Sequence, residues 1–418
     1  MPYYEKSSSQ LVYPAHGGND AANPEAFMHP ISMITFYGYP AELHQVVTAD
    51  GHLLEVHRIP GYKGNRSVPV ILQHGIASSS ADFLANQPPN NLACMLWDHG
   101  YDVWMSNTRG NRYSTYHMQY DQEDPRVWDF SFDDMAKFDL PAIFSYVKGN
   151  TNFARVHYIG HSQGTQSLFA LLSTRPDFGQ NIRLFTALAP VAAVQHVTTP
   201  FIRIRNFFPL IRMMSPNGHI RAWNPRINPK LARLCQRSQR SQHACSYMTD
   251  LIYRPNRKQQ DRSRADVYFS HYPMDTSVKN GDHLLQLVDN GGFAMFDYGK
   301  EGNLKKYGVP YAPRYPLHKI RDVRIALMFA QNDNLVEIQD ANFLLRSLRS
   351  DVLYDVYTVP KDPQFTHVDF LWGIQARVVV WNRVVKNMID VDRLEESATS
   401  LENGVSLASY GDFNHFDR

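Results

Sequence analysis

The chain has 418 residues with 42 Lys and Arg against 40 Asp and Glu, and this net charge of +2 gives no general electrostatic argument for nucleic-acid binding. Its 43% hydrophobic and 20% charged residues are typical of globular proteins, and no apolar run approaches the roughly 18 residues that a membrane span needs. Three cysteines exclude a disulfide scaffold and a four-cysteine zinc site, and we predict neither a metal site nor a cofactor.

The two ends of the chain differ in composition from its middle. Residues 1–20 contain no apolar stretch like that of a secretory signal peptide, and we expect residues 1–22 to be disordered. Polar residues, many of them Ser and Glu, predict a mobile tail at 393–418. Between the ends we expect three parts, which are a first core segment at 23–196, an inserted cap at 197–317 and a second core segment at 318–392.

Strand and helix patterns alternate along the first core segment. Two alternating runs around Ala49-Asp50-Gly51 predict a hairpin over 43–60. Ser131, followed three residues later by Asp134, predicts the start of a helix that runs to about residue 148. This alternation indicates an α/β fold with a mostly parallel central sheet. Continuous apolar runs predict its buried strands at 68–73, 102–105, 156–159 and 184–189.

The alternation stops in the inserted segment and then returns. Aromatic residues, prolines and arginines fill the insertion without a regular order of strands and helices. Strands at 324–330 and 352–359 and a helix at 376–390 follow it. An insertion between two parts of one sheet predicts a largely helical cap or lid domain on an α/β core.

The segment Gly160-His161-Ser162-Gln163-Gly164 lies between a predicted strand and a predicted helix. A G-x-S-x-G segment in this position is typical of a nucleophile elbow, a tight turn that holds the serine hydroxyl clear of the backbone. The neighbours of the serine must be small, and the start of the helix favours negative charge near it. We therefore predict that Ser162 is a catalytic nucleophile.

A serine nucleophile needs an acid and a base, and both follow it along the chain in this fold. Asp333 is the first carboxylate after the strand that follows the insertion, whereas Asp322 precedes that strand and Asp340 falls in the next helix, where we expect it to face solvent. His367 lies in a loop after one more strand. We predict that His367 takes the proton of Ser162 while Asp333 orients the imidazole, so that an acyl-enzyme forms and water then hydrolyses it.

Two backbone N–H groups are expected to stabilise the oxyanion of the tetrahedral intermediate. One belongs to Gln163, the residue after the nucleophile, and the other to Ile76 in the loop after an early strand. Gly75 in this loop permits a close approach of the backbone. For His74 we favour a structural hydrogen bond over a catalytic role. For Arg109, which follows the next strand, we favour an ion pair over a contact with substrate.

Several segments together resemble the animal acid lipases, the family of gastric lipase and lysosomal acid lipase. The resemblance implies an α/β-hydrolase core with a cap and lid that cleaves triacylglycerols, cholesteryl esters or related lipid esters. It also implies an acidic working pH, a lysosomal or secreted location, and the roles given above to Ser162, Asp333, His367, Ile76 and Gln163. The matching segments keep the family's order over about residues 23–390, and they include LQHGI at 72–76, GYDVWMSNTRGN at 100–111, VWDFSFDDMAKFDLPA at 127–142, HYIGHSQGT at 157–165 and THVDFLW at 366–372.

Three departures and two modifications accompany this resemblance. It implies a disulfide between Cys235 and Cys245 in the cap, with two free thiols as the alternative, while Cys94 is expected to be a buried free cysteine. The sequon at Asn65 predicts a glycan if the chain enters the secretory pathway, with a chance sequon as the alternative. The departures from the family's pattern are the turn Gln331-Asn332-Asp333, Thr366 before the histidine, and Asp275 in place of a usual glycine.

Two other functions remain open on the residues alone. One is a different serine-dependent hydrolase, such as a thioesterase or a peptidase, and the other is a non-catalytic lipid carrier that has kept the fold. The apolar residues of the cap favour long acyl chains over peptides. The Ser, Asp and His residues in the expected order argue against a carrier.

The inserted segment is strongly basic. From Arg203 to Arg264 it holds 14 Lys and Arg but only two acids, so this segment has a charge of +12 and the remainder of the chain −10. We predict that it attracts a lipid–water interface rich in anionic lipid, with a solvated basic face as the alternative. The side chains predicted to insert into the lipid are Phe207, Phe208, Ile211, Met213 and Met214.

Overall fold

A nine-stranded sheet is the centre of the computed structural model, which describes residues 22–62, 67–199, 205–224, 226–245 and 259–402. Strands β8 and β9 form a separate two-stranded sheet. In chain order the strands are β1 (Glu42–Val47), β2 (His52–Ile59), β3 (Pro69–Gln73), β4 (Asp102–Ser106), β5 (Tyr116–His117), β6 (Val156–His161), β7 (Ile182–Leu188), β8 (His219–Ile220), β9 (Thr276–Ser277), β10 (Ile325–Ala330) and β11 (Leu353–Val359).

The large sheet is mixed but mostly parallel, as the sequence predicted. Its strand order is β1-β2-β4-β3-β6-β7-β10-β11, with β5 paired to β2. The six strands from β4 to β11 in this order run parallel, and β1, β2 and β5 add antiparallel pairs. The carboxyl ends of the parallel strands therefore share one edge, where α/β proteins place their ligand sites.

Helices surround this sheet and occupy the segment between β7 and β10. Short π-helical turns at Met135–Asp139 and Arg377–Trp381 precede two of them. None of the described helices is both long and apolar enough to cross a membrane. The α-helices are α1 (Pro30–Phe36), α2 (Leu92–Asp98), α3 (Pro125–Trp128), α4 (Phe132–Asp134), α5 (Leu140–Thr151), α6 (Gln163–Thr174), α7 (Phe208–Met214), α8 (Asn228–Gln236), α9 (Ala265–His271), α10 (Val278–Asn290), α11 (Gly299–Tyr307), α12 (Ile338–Ser347), α13 (Asp369–Trp372) and α14 (Asn382–Glu402).

Each face of the sheet has its own apolar core. On β3, Val70 and Leu72 pack into one cluster of buried residues, whereas Ile71 between them packs into the other. Successive side chains of a strand point to opposite faces, so a strand buried on both sides needs a continuous apolar run. This requirement explains why the parallel strands could be found in the sequence as largely apolar segments.

The predicted helix start at Ser131 is confirmed. The Asp134 carboxylate accepts a hydrogen bond from the Ser131 N–H at 2.9 Å, and the Ser131 hydroxyl accepts one from the N–H of Asp133 at 3.3 Å. These reciprocal bonds satisfy N–H groups that have no partner within the helix. The helix continues through the π-helical turn into α5 and ends at Thr151, three residues beyond the predicted end.

Asp275, where the family resemblance leads us to expect glycine, anchors part of the segment between β7 and β10. Its Oδ1 accepts hydrogen bonds from the N–H groups of Ala222 and Trp223 at 2.9 and 2.8 Å. Its Oδ2 lies 2.8 Å from Nε2 of His219, whose ring stacks on that of Trp128 with 3.5 Å between centroids. The aspartate thus connects the turn after β8 to α3 of the core.

Helix α14 extends into the segment predicted to be a tail. It ends at Glu402, although the second core segment was expected to stop at 392. Asp392 pairs with Arg183 and Glu395 with Arg155, each at 2.7 Å, so these turns are fixed to the core strands and their loops. A local polar pattern does not reveal such distant partners, and the predicted tail is wrong up to Glu402. Residues 1–21 and 403–418 lie outside the described residues.

Arg109 lies just after β4 and is almost fully buried, with 3% of its surface exposed. Its guanidinium contacts carboxylate oxygens of Asp50 at 2.7 Å and of Asp139 at 2.6 Å, and its N–H donates to Asp139 at 3.0 Å. The ion pair favoured from the sequence is therefore present. It ties the loop after β4 to the hairpin and to the start of α5.

Arg109→Met should lower the free energy of unfolding by about 3–5 kcal/mol, because Asp139 would remain buried without its cation. Urea unfolding followed by circular dichroism at neutral pH measures this loss. Arg126→Met is the matched control, since Arg126 pairs with Asp124 at the surface and its own side chain is 64% exposed. The control should cost less than about 1 kcal/mol. Equal losses in the two variants would contradict the importance of burial.

Candidate active site

Ser162 lies in the turn between β6 and α6, with a φ of +53° that few residues other than glycine adopt. Two glycines make room for this turn. A Cβ on Gly164 would lie 2.5 Å from the carbonyl oxygen of Gln73, and one on Gly160 would lie 2.9 Å from the backbone nitrogen of Thr165. Only glycine fits at either position, so the G-x-S-x-G pattern follows from packing.

The side chains of Ser162, His367 and Asp333 form a continuous hydrogen-bonded row. Ser162 Oγ lies 2.8 Å from His367 Nε2, and His367 Nδ1 lies 2.8 Å from Asp333 Oδ2. The three residues are 9%, 2% and 3% exposed, so bulk water does not compete for these contacts. A neutral imidazole that donates from Nδ1 to the carboxylate turns the lone pair of Nε2 toward the hydroxyl. This is the geometry that a general base needs.

Backbone groups fix the carboxylate of Asp333. Its Oδ1 accepts hydrogen bonds from the N–H groups of Leu335 at 2.9 Å and Val336 at 3.0 Å, which leaves Oδ2 for His367. The turn after β10 thus sets the position of the acid before any substrate is present.

Asp340, the rival acid, is buried rather than solvated. Its carboxylate accepts the N–H of His196 at 3.0 Å, and its other oxygen lies 2.9 Å from the Nδ1 of that residue. The prediction that Asp340 faces solvent is therefore wrong. The loop that covers it lies far away in the sequence, and a helical pattern alone does not reveal such a neighbour.

Two further groups position His367, and the sequence analysis missed both. His161 Nε2 donates a hydrogen bond to the carbonyl oxygen of His367 at 2.9 Å, and burial lowers the pKa of His161 to about 3, which keeps it neutral. Asp369 accepts bonds from the N–H and the hydroxyl of Thr366, both at 2.7 Å. A signal for the second group was present, because an acid three residues after Thr is a common capping pattern.

The loop after β3 approaches the serine closely. A Cβ on Gly75 would lie 3.0 Å from the Cβ of Ser162. His74 holds this loop, because its Nδ1 lies 2.7 Å from the carbonyl oxygen of Gly75 and its Nε2 accepts the N–H of Thr108 at 3.2 Å. Burial lowers the pKa of His74 to about 4, so it acts as a neutral hydrogen-bonding group. The structural role favoured for His74 agrees with these contacts.

A small, partly open cavity contains the reacting atoms. Ile76, Ser162 and His367 line it together with Tyr272 and several apolar side chains, and its volume is about 40 Å³. This space has room for a few water molecules but not for an acyl chain. Gln163, the first residue of α6, has no helical partner for its N–H.

The two cysteines of the cap and the third cysteine have different states. Cys235 and Cys245 are joined by a disulfide, with 5.7 Å between their Cα atoms. Cys94 is free and buried, and burial raises the pKa of its thiol to about 12. The sequon residue Asn65 lies outside the described residues.

One described group of side chains has the composition of a metal site. Ligand atoms of His29, Glu55 and His57 lie within 4.8 Å of one another. However, His29 Nδ1 accepts the N–H of Ile31 at 3.3 Å, so the proton of this ring is on Nε2, which lies 2.8 Å from Glu55. His29 thus presents an N–H group where a metal would need a lone pair. The group is a hydrogen-bonded support for β2.

The outer surface of α7 is only partly the apolar surface that the sequence predicted. Met213, Met214 and Phe207 are 72%, 73% and 62% exposed, respectively. Phe208, in contrast, is buried, and its ring fills the space beside Gly281 in α10. The prediction that Phe208 inserts into lipid is therefore wrong, because it faces inward at the start of the helix.

Helix α8 exposes an apolar row on its outer side, which we call the α8 ridge. The ridge consists of Ile227, Leu231 and Leu234, which are 60%, 38% and 51% exposed. Spacings of four and three residues place these side chains on one helix face. Lys230 and Arg237 are exposed beside it, and neither forms an ion pair within the described part of the chain. The opposite face, with Asn228, Ala232, Cys235 and Gln236, is buried.

Acids from outside the basic segment neutralise part of its charge. The cationic surface is therefore smaller than a charge of +12 suggests, while Lys230 and Arg237 have no ion-pair partner among the described residues. The pairs are Arg205 with Asp289, Arg212 with Asp282, Arg221 with Glu123, and the buried Arg264 with Glu25.

Known proteins with similar sequences and folds identify the family. A family model described as alpha/beta hydrolase fold matches residues 68–371, and one described as partial alpha/beta-hydrolase lipase region matches residues 31–87. Gastric triacylglycerol lipase of Bos taurus is 37% identical over 386 residues, which are 89% of this chain and 94% of the relative. Lipase member M of Homo sapiens is 33% identical over 405 residues, 94% of this chain and 92% of the relative.

A solved structure supports the same fold. The alpha/beta hydrolase GrgF from Penicillium sp. sh18 superposes with a TM-score of 0.51 at 14% identity, covering 85% of this chain and 98% of that one. The range of the fold model includes Ser162, Asp333 and His367. The chain therefore belongs to the α/β-hydrolase fold family and, within it, to the acid lipase family.

Proposed function

We propose that the chain is a serine-dependent hydrolase of lipid esters. The observation that carries this proposal is the buried row in which Asp333, His367 and Ser162 are joined by two contacts of 2.8 Å. Membership of the acid lipase family supports the substrate class, because relatives named as lipases match nearly the full length of the chain.

In the first half-reaction, His367 Nε2 removes the proton of Ser162 while Oγ attacks the ester carbonyl carbon. The π electrons of the carbonyl move to its oxygen, and Asp333 stabilises the imidazolium that forms. Collapse of this intermediate breaks the ester C–O bond, and His367 gives its proton to the leaving alcohol. Water then attacks the acyl-enzyme with His367 again as base, and the fatty acid leaves as Ser162 regains its proton.

Backbone N–H groups of Ile76 and Gln163 are the proposed donors to the oxyanion. The close approach of Gly75, the residue before Ile76, to Ser162 supports the first donor. The second donor is at the N-terminal end of α6, where N–H groups lack helical partners. Loss of one such donor typically lowers the rate by about 10²–10³.

The proposed substrates are long-chain esters such as triacylglycerols and cholesteryl esters, presented at a lipid–water interface. Support comes from the small size of the cavity, about 40 Å³, which must widen to admit an acyl chain. Apolar side chains exposed on the cap would be buried by lipid, and burial contributes about 25 cal/mol per Å². A lipid surface can shift the chain toward an open form only through such differential contacts.

The α8 ridge is the surface that we propose to contact anionic lipid. Amphipathic helices with an apolar stripe beside Lys and Arg bind in the plane of a membrane interface. Here the ridge supplies the apolar contact, and Lys230 and Arg237 supply charge. Each such cation near an anionic surface contributes about 1 kcal/mol, and salt screens this attraction.

The disulfide bears on the location of the protein. Bonds such as Cys235–Cys245 form and persist in oxidising compartments, whereas cytosolic thiols are kept reduced. We therefore propose a secreted or lysosomal location.

Ser162→Ala should abolish ester hydrolysis while the fold is retained. Removal of such a nucleophile typically lowers kcat by about 10⁶. Hydrolysis of emulsified triolein measures the loss, and a fluorophosphonate probe should label the wild-type chain but not the variant. Substantial turnover by purified Ser162→Ala would refute the proposed function.

The double variant Leu231→Gln/Leu234→Gln should weaken binding to vesicles of phosphatidylcholine with added phosphatidylserine, because it removes the apolar contact. Lys230→Gln/Arg237→Gln should weaken binding only when phosphatidylserine is present, by about 30-fold at low salt for two charges. Vesicle sedimentation over a salt series measures both effects.

Matched controls for these variants lie elsewhere on the surface. Ile338→Gln replaces a side chain that is 60% exposed, as Ile227 is, at the start of α12. Lys319→Gln/Arg346→Gln removes two exposed charges outside the insertion. Neither control should change vesicle binding. If vesicle binding depends on neither lipid charge nor salt, the proposed contact with anionic lipid is refuted. The catalytic proposal is unaffected by that result.

A further inference from the structure

Asp82 places a carboxyl group in the wall of the cavity that contains Ser162. It lies in the short 3-10 turn Ser80–Leu84 and is only 5% exposed. Together with Ile76, Ser162 and His367 it lines the cavity of about 40 Å³. Asp82 and the reacting groups therefore face the same small space. The mechanism described above gives this buried acid no role.

Among the described residues, no cation pairs with Asp82. Its Oδ2 accepts a hydrogen bond from the Ser78 hydroxyl, and its Oδ1 has no hydrogen-bond partner within the described residues. The titratable groups of the same cavity are Tyr272, His367 and His161, of which His161 is neutral because burial lowers its pKa to about 3. Burial raises the pKa of Asp82 to about 7.

His57 on β2 lies 2.7 Å from the Ser80 hydroxyl of the Asp82 turn, and burial lowers the pKa of this histidine to about 4. None of the described charges on the other segments packed on the turn forms an ion pair with Asp82. Arg264 contacts the end of this turn through the carbonyl oxygen of Ala85, but its guanidinium pairs with Glu25. Helix α1 carries no titratable side chain. Asp102 on β4 pairs with Arg58, and His271 on α9 is neutral because burial lowers its pKa to about 3. The other titratable side chains on α2, α9 and α13 are Cys94, Asp98, Asp266, Tyr268 and Asp369.

We propose that Asp82 tunes the reaction electrostatically: as a neutral acid it leaves the cavity free of charge for the oxyanion, and as a carboxylate it opposes the oxyanion, so that hydrolysis is confined to acidic and neutral pH. The inference rests on the proposed function, because it needs negative charge to develop beside Ser162. Two negative charges in one small, largely buried cavity repel more strongly than they would in water, because the lower local dielectric screens them less. Asp82 does not contact the transferred acyl group. It acts on the reaction only through its charge and is therefore not a catalytic residue.

Asp82→Asn tests the proposal, because the amide has nearly the shape of the carboxyl group and no charge. The readout is kcat/KM for a soluble short-chain nitrophenyl ester across the pH range in which the chain stays folded. Wild-type activity should fall as the pH rises through about 7, and Asp82→Asn should retain it. At about pH 8.5, relative to about pH 5, the variant should exceed the wild type by at least about tenfold, since one pK unit of interaction corresponds to a factor of ten.

Asp322→Asn is the matched control. It removes the same charge from an exposed position whose φ of +58° asparagine tolerates well. Its pH profile should follow that of the wild type. A parallel shift in both variants would mean that net charge, and not the cavity, determines the profile.

Thermal unfolding gives a readout that does not depend on catalysis. Because the pKa of Asp82 is raised in the folded chain, the unfolded chain ionises first and wild-type stability falls between about pH 4 and about pH 7. Asp82→Asn lacks this group, so its advantage in melting temperature should grow over that range and then stay constant. Asp82→Ala serves as a second variant if Asp82→Asn does not fold.

The possible outcomes separate this inference from the proposed function. If the fluorophosphonate probe labels neither the wild type nor Asp82→Asn, the proposed function fails. If it labels both and their pH profiles coincide, Asp82 has no electrostatic role and only the present inference is overturned. An alkaline extension of activity in Asp82→Asn, with labelling lost only in Ser162→Ala, supports both.

Discussion

The active site depends on one close approach, that of the backbone at Ser162 to the loop after β3. A Cβ on Gly75 would lie 3.0 Å from Ser162 Cβ, and one on Gly164 would lie 2.5 Å from the carbonyl oxygen of Gln73. This contact is possible because β3 and β6 are parallel neighbours, so that their carboxyl ends emerge side by side. The same contact brings the loop after β3 to the turn that holds the serine, and it leaves little room for anything larger than glycine.

Much of the core could be predicted from the sequence because its signals are local. The parallel strands are largely apolar, although His157, Arg183 and Asp355 lie within three of them, and their predicted bounds lie within two residues of those in the structure. Asp333 and His367 could be selected because each follows the carboxyl end of a strand, and parallel strands deliver such residues to one edge. Chain order and topology were thus sufficient to bring both side chains to Ser162.

The rest could not be predicted, because it depends on contacts between residues far apart in the sequence. Asp340 looks solvated on its helix, yet a distant loop buries it against His196. The last turns of α14 look like a polar tail, yet Asp392 pairs with Arg183 on β7. The cap shows the same effect in its net charge, since several of its arginines are neutralised from other segments. A local pattern records the charge of a residue and says nothing about the partner that decides its effect.

The two carboxyl groups near Ser162 show how partners, and not residue type, assign roles. Asp333 receives three N–H donors, two from its own turn and one from His367, so both of its oxygens are fixed and satisfied. Asp82 receives one hydroxyl from Ser78, and its other oxygen has no partner in the described part of the chain. A carboxylate surrounded by donors is suited to hold a developing imidazolium, whereas a nearly bare carboxyl group is costly to ionise. The surroundings of the serine therefore combine a carboxyl group whose partners favour its charge with one whose partners disfavour it. Differences of this kind divide acid and base roles between like groups in active sites.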